Sequence, residues 1–225
     1  MKLAVLFSGG KDSAYALYKA LQEHEVVCLI TMISSNPNSY MFHTPNIHLT
    51  ELQAQAMELP LIKKDTKGVK EQELGDLKAA IYEADQKYEL DGVVSGAFAS
   101  KYQKERIENI CKSLGLQCIS PLWGENPEKL MREMIDNGFK FILSSIAAQG
   151  LDESWLGRQI DNNDIDKLVE LNKKIGIHIA FEGGEAETLM IEGPIFKKKI
   201  KIIKAEKKIE NEHTGIYKIV KAELQ

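Results

Sequence analysis

Residues 2–13 read KLAVLFSGGKDS, and this stretch sets the fold class. Residues 2–7 form a short apolar run rich in β-favouring side chains, which predicts a strand. The pair Gly9 and Gly10 ends this run, and from Asp12 onward apolar residues recur at the spacing of one helix face. A strand, a glycine turn and a helix in succession predict the first βα unit of an α/β fold.

The same alternation of strands and helices continues to residue 120. It predicts a doubly wound parallel sheet of about five strands, with helices on both faces and right-handed crossovers. The further strands are predicted at residues 26–33, 61–64, 92–95 and 117–120, and the helices at residues 47–59, 71–88 and 102–114.

The rhythm changes after Pro121, so we place a domain boundary between residues 120 and 121. Residues 1–120 then form the sheet domain, and residues 121–225 form a smaller α+β domain. In that second domain we predict helices at residues 127–137 and 164–175 and strands at residues 139–146, 199–205 and 216–220.

The composition excludes several classes of protein. With 225 residues, 44% hydrophobic and 28% charged, the chain has ordinary globular proportions. Three cysteines without a C-x-x-C pair exclude a disulfide framework, and no apolar run approaches the ~20 residues of a membrane span. The amino terminus does not resemble a signal peptide. We therefore expect a cytoplasmic protein.

Charge is distributed unevenly along the chain. Residues 197–208 hold seven Lys and one Glu, although the formal net charge of the whole chain is −4. A nucleic-acid-binding protein usually shows a broad basic surface, whereas this chain has one basic strip on an acidic body. We interpret the strip as a solvated strand edge, because lysine protects edges from aggregation.

The glycine turn has the residues of an anion site. Inward-facing backbone amides at a helix N-terminus bind phosphate, and the Ser8 and Ser13 hydroxyls add donors. Lys11 supplies positive charge, and Asp12 is placed to bind Mg²⁺. The alternative is an ordinary βα turn in which Asp12 or Ser13 caps the helix. We name residues 8–13 the phosphate loop.

The phosphate loop resembles the S-G-G-x-D-S loop of the ATP pyrophosphatase (PP-loop) superfamily, whose sheet is adenine nucleotide alpha hydrolase-like. Together with residues 41–46, 95–97, 102–108, 150–158 and 182–188, it looks like the diphthine–ammonia ligase family, the N-type ATP pyrophosphatases. One departure is Ala186, where the family pattern leads us to expect a bulky aromatic residue.

The resemblance implies the residues of the site. The predicted ATP-binding residues are Ser8, Gly9, Gly10, Lys11, Asp12, Ser13, Ile33, Ser95 and Gly96. The predicted substrate-binding residues are His43, Tyr102, Gln103, Arg106, Trp155, Arg158, Glu182, Gly183, Gly184 and Glu185. The predicted catalytic residues are Lys11, Asp12, Glu185 and Glu187, and Asp12 is the predicted metal ligand.

Each of these segments also has a simpler structural interpretation. Gly96 could merely end its strand, and Arg106 could pair with Glu105 or another acid on a surface helix. Residues 182–188, named here the acidic turn, could be a solvated corner. Trp155 could be an ordinary core residue, since tryptophan is more often buried than part of a binding cage.

The activity implied by the resemblance is ATP-dependent amidation of a carboxylate through an acyl-adenylate, with release of AMP and pyrophosphate. The family substrates are ATP, ammonium and diphthine on the translocating translation elongation factor, and the implied cofactors are ATP and Mg²⁺. We expect neither a membrane nor a nucleic acid as partner, and a homodimer remains open. The alternatives are a PP-loop tRNA-modifying enzyme and a non-catalytic nucleotide-binding sensor. Thiolating tRNA enzymes need paired cysteines, and Cys111 and Cys118 are not paired in the sequence.

Overall fold

A computed structural model describes residues 1–36 and 45–225 of the chain. The predicted substrate-binding residue His43 lies outside the described residues. The chain divides into two compact units, Met1–Trp123 and Gly124–Gln225. We name them the first and the second unit.

The first unit contains a parallel sheet of five strands in the described part of the chain, which confirms the predicted fold class. The strands are β1 Lys2–Leu6, β2 Glu25–Ser34, β3 Leu61–Thr66, β4 Gly92–Val94 and β5 Gln117–Ile119. The helices are α1 Lys11–Leu21, α2 Thr50–Met57, α3 Glu73–Tyr88 and α4 Lys101–Ser113, and a short 3₁₀ turn, Ile47–Leu49, leads into α2.

The strand order β3-β2-β1-β4-β5 explains where a ligand would bind. From β1 the chain winds outward through β2 to β3, then returns to β4 on the other side of β1. Open α/β sheets bind ligands at such a reversal, beyond the carboxyl ends of the strands. The loops that follow β1 and β4 both begin at this point. In the middle of the sheet, Leu3, Ala4 and Val5 of β1 are fully buried, as expected for a central parallel strand.

The second unit is an antiparallel sheet with helices, which confirms the predicted smaller α+β domain. Its strand order is β7-β6-β9-β8. The elements are α5 Pro127–Asp136, β6 Lys140–Ala147, a 3₁₀ turn Glu153–Trp155, α6 Asn162–Ile175, β7 Ala186–Glu192, β8 Ile200–Asn211 and β9 Thr214–Leu224. Strand β7 was not predicted, since its sequence AETLMIE has no regular alternation of apolar and polar residues.

Strands β8 and β9 form a longer hairpin than the predicted strands at residues 199–205 and 216–220. Strand β9 pairs with β6 only through Thr214, Gly215 and Ile216, whereas its pairing with β8 extends to Leu224. Strand β8 lies at the edge of the sheet, and all seven lysines of residues 197–208 are exposed. The basic strip is therefore a solvated strand edge. Within the two described ranges, no helix is both long and apolar enough to cross a bilayer.

Candidate active site

The side chain of Ser13 forms hydrogen bonds across the phosphate loop. The Ser13 Oγ accepts a hydrogen bond from the backbone N–H of Ser8 at 3.2 Å and donates to the Gly10 carbonyl at 3.1 Å. The two hydroxyls of Ser8 and Ser13 also lie 3.2 Å apart, within hydrogen-bond distance. Gly9 has φ +81°, a conformation that favours glycine, so the loop turns through Gly9 into the first turn of α1.

The N-terminus of α1 differs from those of α4 and α5. In α4, the side chain of Ser100 accepts a hydrogen bond from the first turn, and Asn126 does the same in α5. At α1 the capping position is Gly10, which has no side chain to cap the helix. The helix begins at Lys11, so neither Asp12 nor Ser13 occupies the capping position. A helix N-terminus is an arrangement that binds phosphate in many proteins.

Lys11 and Asp12 form an ion pair at the start of α1. The Lys11 Nζ lies 2.8 Å from Asp12 Oδ1 and 2.7 Å from Oδ2, and Lys11 is only 2% exposed. Buried lysines are normally paired in this way. Mg²⁺ binds through one or two carboxylates and completes its ligands with phosphate oxygens and water, so the single carboxylate of Asp12 fits this ion. Residues 1–36 and 45–225 contain no cluster of three metal-ligating side chains.

Gly96 lies against the first turn of α1. A Cβ atom at this position would be 2.9 Å from the Ser13 nitrogen and 3.1 Å from the Asp12 carbonyl carbon. Glycine is therefore required by close packing against the phosphate loop. The structure thus gives Gly96 a more specific role than that of a strand terminator. Neighbouring Ser95 is 2% exposed, and its Oγ accepts from the Ala97 N–H at 3.1 Å.

Ile33 lies near the carboxyl end of β2, where it is half-buried. In the same strand, Thr31 is fully buried, and its hydroxyl donates to the Phe7 carbonyl at 2.6 Å. This bond ties the end of β2 to the residue before the phosphate loop. The contact of Ile33 with the adenine base stays a prediction.

Arg106 and Tyr102 of α4 both contact Glu71, which lies just before the start of α3. The Arg106 guanidinium lies 3.5 Å from the Tyr102 ring centroid and donates to Glu71 Oε1 through Nε at 3.0 Å and Nη2 at 2.5 Å. The hydrogen bond from Arg106 is the main cause that lowers the pKa of Glu71, and Tyr102 lowers it further. Arg106 therefore pairs with an acid, as in the simpler interpretation, but the acid is Glu71. Gln103 lies one turn earlier in α4, where its N–H donates to Ser100 Oγ.

The acidic turn of the second unit is held together by Glu185 and His178. The two oxygens of the Glu185 carboxylate accept hydrogen bonds from the N–H groups of His178 and Gly183, both at 2.8 Å. The His178 Nδ1 accepts from Ala180 N–H at 3.2 Å and from Glu182 N–H at 3.4 Å. Glu185 therefore holds the turn in its conformation.

Further residues of this turn lie where the chain enters β7. Gly184 has φ +83°, which suits the turn, and Ala186 and Glu187 are the first residues of the strand. Ala186 pairs with Ile146 of β6 and is buried, so the residue where we expected an aromatic side chain faces the interior.

Trp155 and Arg158 are built into the second unit. Trp155 is only 6% exposed, as in its interpretation as a core residue, and the Arg158 guanidinium lies 5.5 Å from its ring centroid. Arg158 also donates through Nε to Asp164 Oδ2 at 2.9 Å. Asp164 is buried and forms a capping box with Asp161 at the start of α6. Arg158 thus supports the first turn of α6.

The structure groups the predicted residues by unit. The first unit brings the phosphate loop together with Gly96, and separately joins Tyr102 to Arg106. The second unit joins Glu182, Gly183 and Glu185 in one turn. Two residues at these sites were missed by the sequence analysis. His178 organises the acidic turn, and Gln53 of α2 donates to the Gly9 carbonyl of the phosphate loop at 2.8 Å.

Two cysteines that are not paired in the sequence are neighbours in the first unit. Cys111 lies in α4 and Cys118 in β5, and the Leu116 N–H donates to the Cys111 carbonyl at 2.9 Å. Hydrogen bonding with the Cys111 thiol is the main cause that lowers the pKa of Cys118. In the described part of the chain both cysteines are free thiols.

A doubly wound sheet with a glycine-rich loop at its strand reversal is an arrangement in which α/β proteins bind nucleotides. Models of the diphthamide synthase N-terminal and C-terminal domains match residues 1–118 and 126–224, respectively. The chain belongs to the diphthamide synthase family, and it is an ATP-dependent ligase.

Relatives named diphthine–ammonia ligase match most of the chain. The protein from Mus musculus is 39% identical, over 92% of this chain and 84% of its own length. The protein from Homo sapiens is also 39% identical, over 89% of this chain and 82% of its own length. A solved structure described as a predicted subunit of tRNA methyltransferase from Methanocaldococcus jannaschii covers 86% of this chain and 98% of that chain. It has 18% identity and a TM-score of 0.45, too distant a likeness to support a functional argument.

Proposed function

We propose that this chain converts diphthine to diphthamide on the translocating translation elongation factor, using ATP and ammonium. A carboxylate oxygen of diphthine attacks the α-phosphorus of ATP, pyrophosphate leaves, and an acyl-adenylate forms. Ammonia then attacks the acyl carbon and displaces AMP. The observation that carries this proposal is the position of the phosphate loop, because α1 begins at the strand reversal directly after Gly9 and Gly10 and has Lys11 and Asp12 in its first turn. The names of the relatives support the choice of acceptor.

Residues 1–120 act as the ATP-binding domain in this proposal, and the phosphate loop receives the pyrophosphate end of ATP. The amides of the first turn of α1 and the hydroxyls of Ser8 and Ser13 donate to phosphate oxygens. Lys11 neutralises the charge that develops on the leaving pyrophosphate, which is where preorganised charge accelerates such reactions most. Gly96 keeps β4 close to this turn, and Ile33 lies beside the base.

The ion pair between Lys11 and Asp12 suits this role. In the absence of nucleotide, each charge neutralises the other, so a buried lysine stays paired. When a polyphosphate binds, Lys11 would turn to phosphate oxygens, and Asp12 would hold Mg²⁺. The bound Mg²⁺ would supply positive charge beside the phosphates. Both side chains thus exchange one partner of opposite charge for another.

Residues 121–225 act as the substrate-binding domain in this proposal. Diphthine carries a trimethylammonium group as well as the reacting carboxylate, and ammonium is also a cation. The acidic turn places Glu182, Glu185 and Glu187 within six residues, which suits a cation. Arg106 or Arg158 orients the substrate carboxylate, since arginine recognises carboxylates with two parallel hydrogen bonds. Trp155 is a further proposed acceptor contact of this domain, and His43, Tyr102 and Gln103 are proposed acceptor contacts of residues 1–120.

The decisive incubation contains the chain, ATP, Mg²⁺, ammonium and diphthine-bearing elongation factor. We expect AMP, pyrophosphate and a mass change from acid to amide on the factor, each dependent on ammonium. Formation of ADP, or amide formation without ATP, contradicts the proposal. Tight ATP binding with no pyrophosphate under any condition favours a nucleotide sensor. Salt-sensitive binding to tRNA favours a tRNA-modifying enzyme, because phosphate contacts dominate such affinity.

A further inference from the structure

Gln53 is a buried polar residue that contacts the phosphate loop from α2. Its side chain is fully buried, and its Nε2 donates to the Gly9 carbonyl at 2.8 Å across 44 positions of sequence. A Cβ atom at Gly9 would lie 2.3 Å from Gln53 Oε1 and 3.2 Å from its Cδ. The amide group of Gln53 therefore packs directly on Gly9, in space that no larger residue could share.

This contact fixes one peptide plane of the loop. The peptide bond between Gly9 and Gly10 is planar and trans, so its carbonyl and its N–H point in opposite directions. When Gln53 holds the Gly9 carbonyl toward α2, the N–H of Gly10 must point away from α2. Glycine has wide conformational freedom at both positions, so without an external partner this plane could rotate.

The start of α2 is itself well fixed. Thr50 is 1% exposed, and its hydroxyl donates to the Ile47 carbonyl at 2.8 Å. The Thr50 Cγ2 also lies 3.2 Å from the position of a Cβ atom at Gly9. Thr50 and Gln53, which lie about one turn apart on the same side of α2, thus both pack against Gly9. The helix therefore acts as a rigid support for the loop.

We propose that Gln53 is a positioning residue of the ATP site, a role that rests on the phosphate-binding function proposed above. It keeps the Gly9 carbonyl away from the phosphates and aims the Gly10 N–H toward them. Loss of the Gln53 amide leaves the Gly9 carbonyl without its buried donor, and the peptide plane is free to turn an oxygen toward the anion.

The test compares Gln53→Met and Gln53→Glu with the same two substitutions at Gln55, an exposed residue of the same helix. Gln53→Met keeps the length of the side chain and removes its donor. We expect kcat/KM for ATP, followed as AMP formation, to fall about tenfold to a hundredfold, the range for loss of a buried hydrogen bond. Both Gln55 variants should stay within about twofold of the wild type, as surface substitutions usually do.

The pH profile separates positioning from mere structural support. In Gln53→Glu, the introduced carboxylate cannot donate to the Gly9 carbonyl, but its protonated form can. The activity of this variant relative to wild type should therefore rise as the pH falls, whereas the relative activity of Gln53→Met should stay flat. Gln53→Met that behaves like Gln55→Met, or a flat profile for Gln53→Glu, overturns the positioning role.

Binding of ATP distinguishes failure of this role from failure of the ligase function. If the wild type binds ATP but forms no AMP, the ligase function fails, and the affinity for ATP then decides the role of Gln53. In that case Gln53→Met should bind ATP at least about tenfold more weakly than Gln55→Met. Equal affinities overturn the positioning role, and a wild type that binds no ATP overturns both.

Discussion

Replacement of Gly96 by alanine tests whether β4 supports the phosphate loop through close packing. The new Cβ would lie 2.9 Å from the Ser13 nitrogen, 3.0 Å from its Cα and 3.1 Å from the Asp12 carbonyl carbon. All three atoms belong to the backbone of α1, so no side chain can rotate away to make room. The first turn of α1 must move, and the phosphate loop must move with it.

The expected magnitude follows from the cost of overpacking, about 1–3 kcal/mol for an extra carbon in a tightly packed site. Gly75 of α3 is the matched control, because nothing lies within 4 Å of a Cβ at that position. Gly75→Ala should stabilise the chain by about 0.4–1 kcal/mol, since alanine restricts the unfolded chain and favours the helix. The same chemical change thus has opposite signs at the two positions.

Urea unfolding measures both free energies, and AMP formation by the folded protein measures the function of the loop. Gly96→Ala should unfold at lower urea concentration than the wild type and lose AMP formation beyond its loss of stability. Gly75→Ala should unfold at higher urea concentration and keep full activity. If the two variants shift the unfolding midpoint in the same direction, Gly96 does not pack as described.

Four further substitutions probe charged residues of the two units. Lys11→Ala and Asp12→Ala should each abolish AMP formation while far-ultraviolet circular dichroism stays unchanged, because each removes a charge from the phosphate loop; near-wild-type turnover in either would refute its role. Glu185→Gln should slow amidation more than it weakens ATP binding, measured separately, because the carboxylate shapes the acidic turn; equal losses would place the turn outside the acceptor site. Arg106→Met should raise the pKa of Glu71 toward its ordinary value, followed by carboxyl-carbon NMR shifts, and an unchanged titration would contradict the Arg106 contact.

The central strands could be predicted from the sequence because buried parallel strands are continuous apolar runs. Strand β1 and the buried middle of β2 are of this kind. The observed β1 ends one residue before its predicted end, and the observed β2 extends one residue beyond its predicted bounds at each end. The outer parts of β8 and β9 carry exposed side chains on both strands, so hydrophobic patterning could not predict their length. Strand β7 lacked any alternation that a pattern could detect.

The candidate site likewise contains contacts that could be predicted from the sequence and contacts that could not. Residues of the phosphate loop contact one another within six positions of sequence, so one motif contains most of that geometry. The contacts of Gly9 with Gln53 and of Arg106 with Glu71 span 44 and 35 positions. Neither contact could be predicted from the spacing of residues in the sequence, because only the folded sheet brings those helices and loops together. His178 likewise has an unremarkable sequence context, and only the closed acidic turn reveals its role.

Transfer of heavy oxygen from substrate to nucleotide is the most direct test of the acyl-adenylate. Diphthine is prepared with both carboxylate oxygens labelled, and the products are analysed after reaction with ATP and ammonium. Attack of the carboxylate on the α-phosphorus leaves one labelled oxygen in AMP and the other in the amide of diphthamide. Unlabelled AMP, or label found in inorganic phosphate beside ADP, would contradict chemistry at the α-phosphorus.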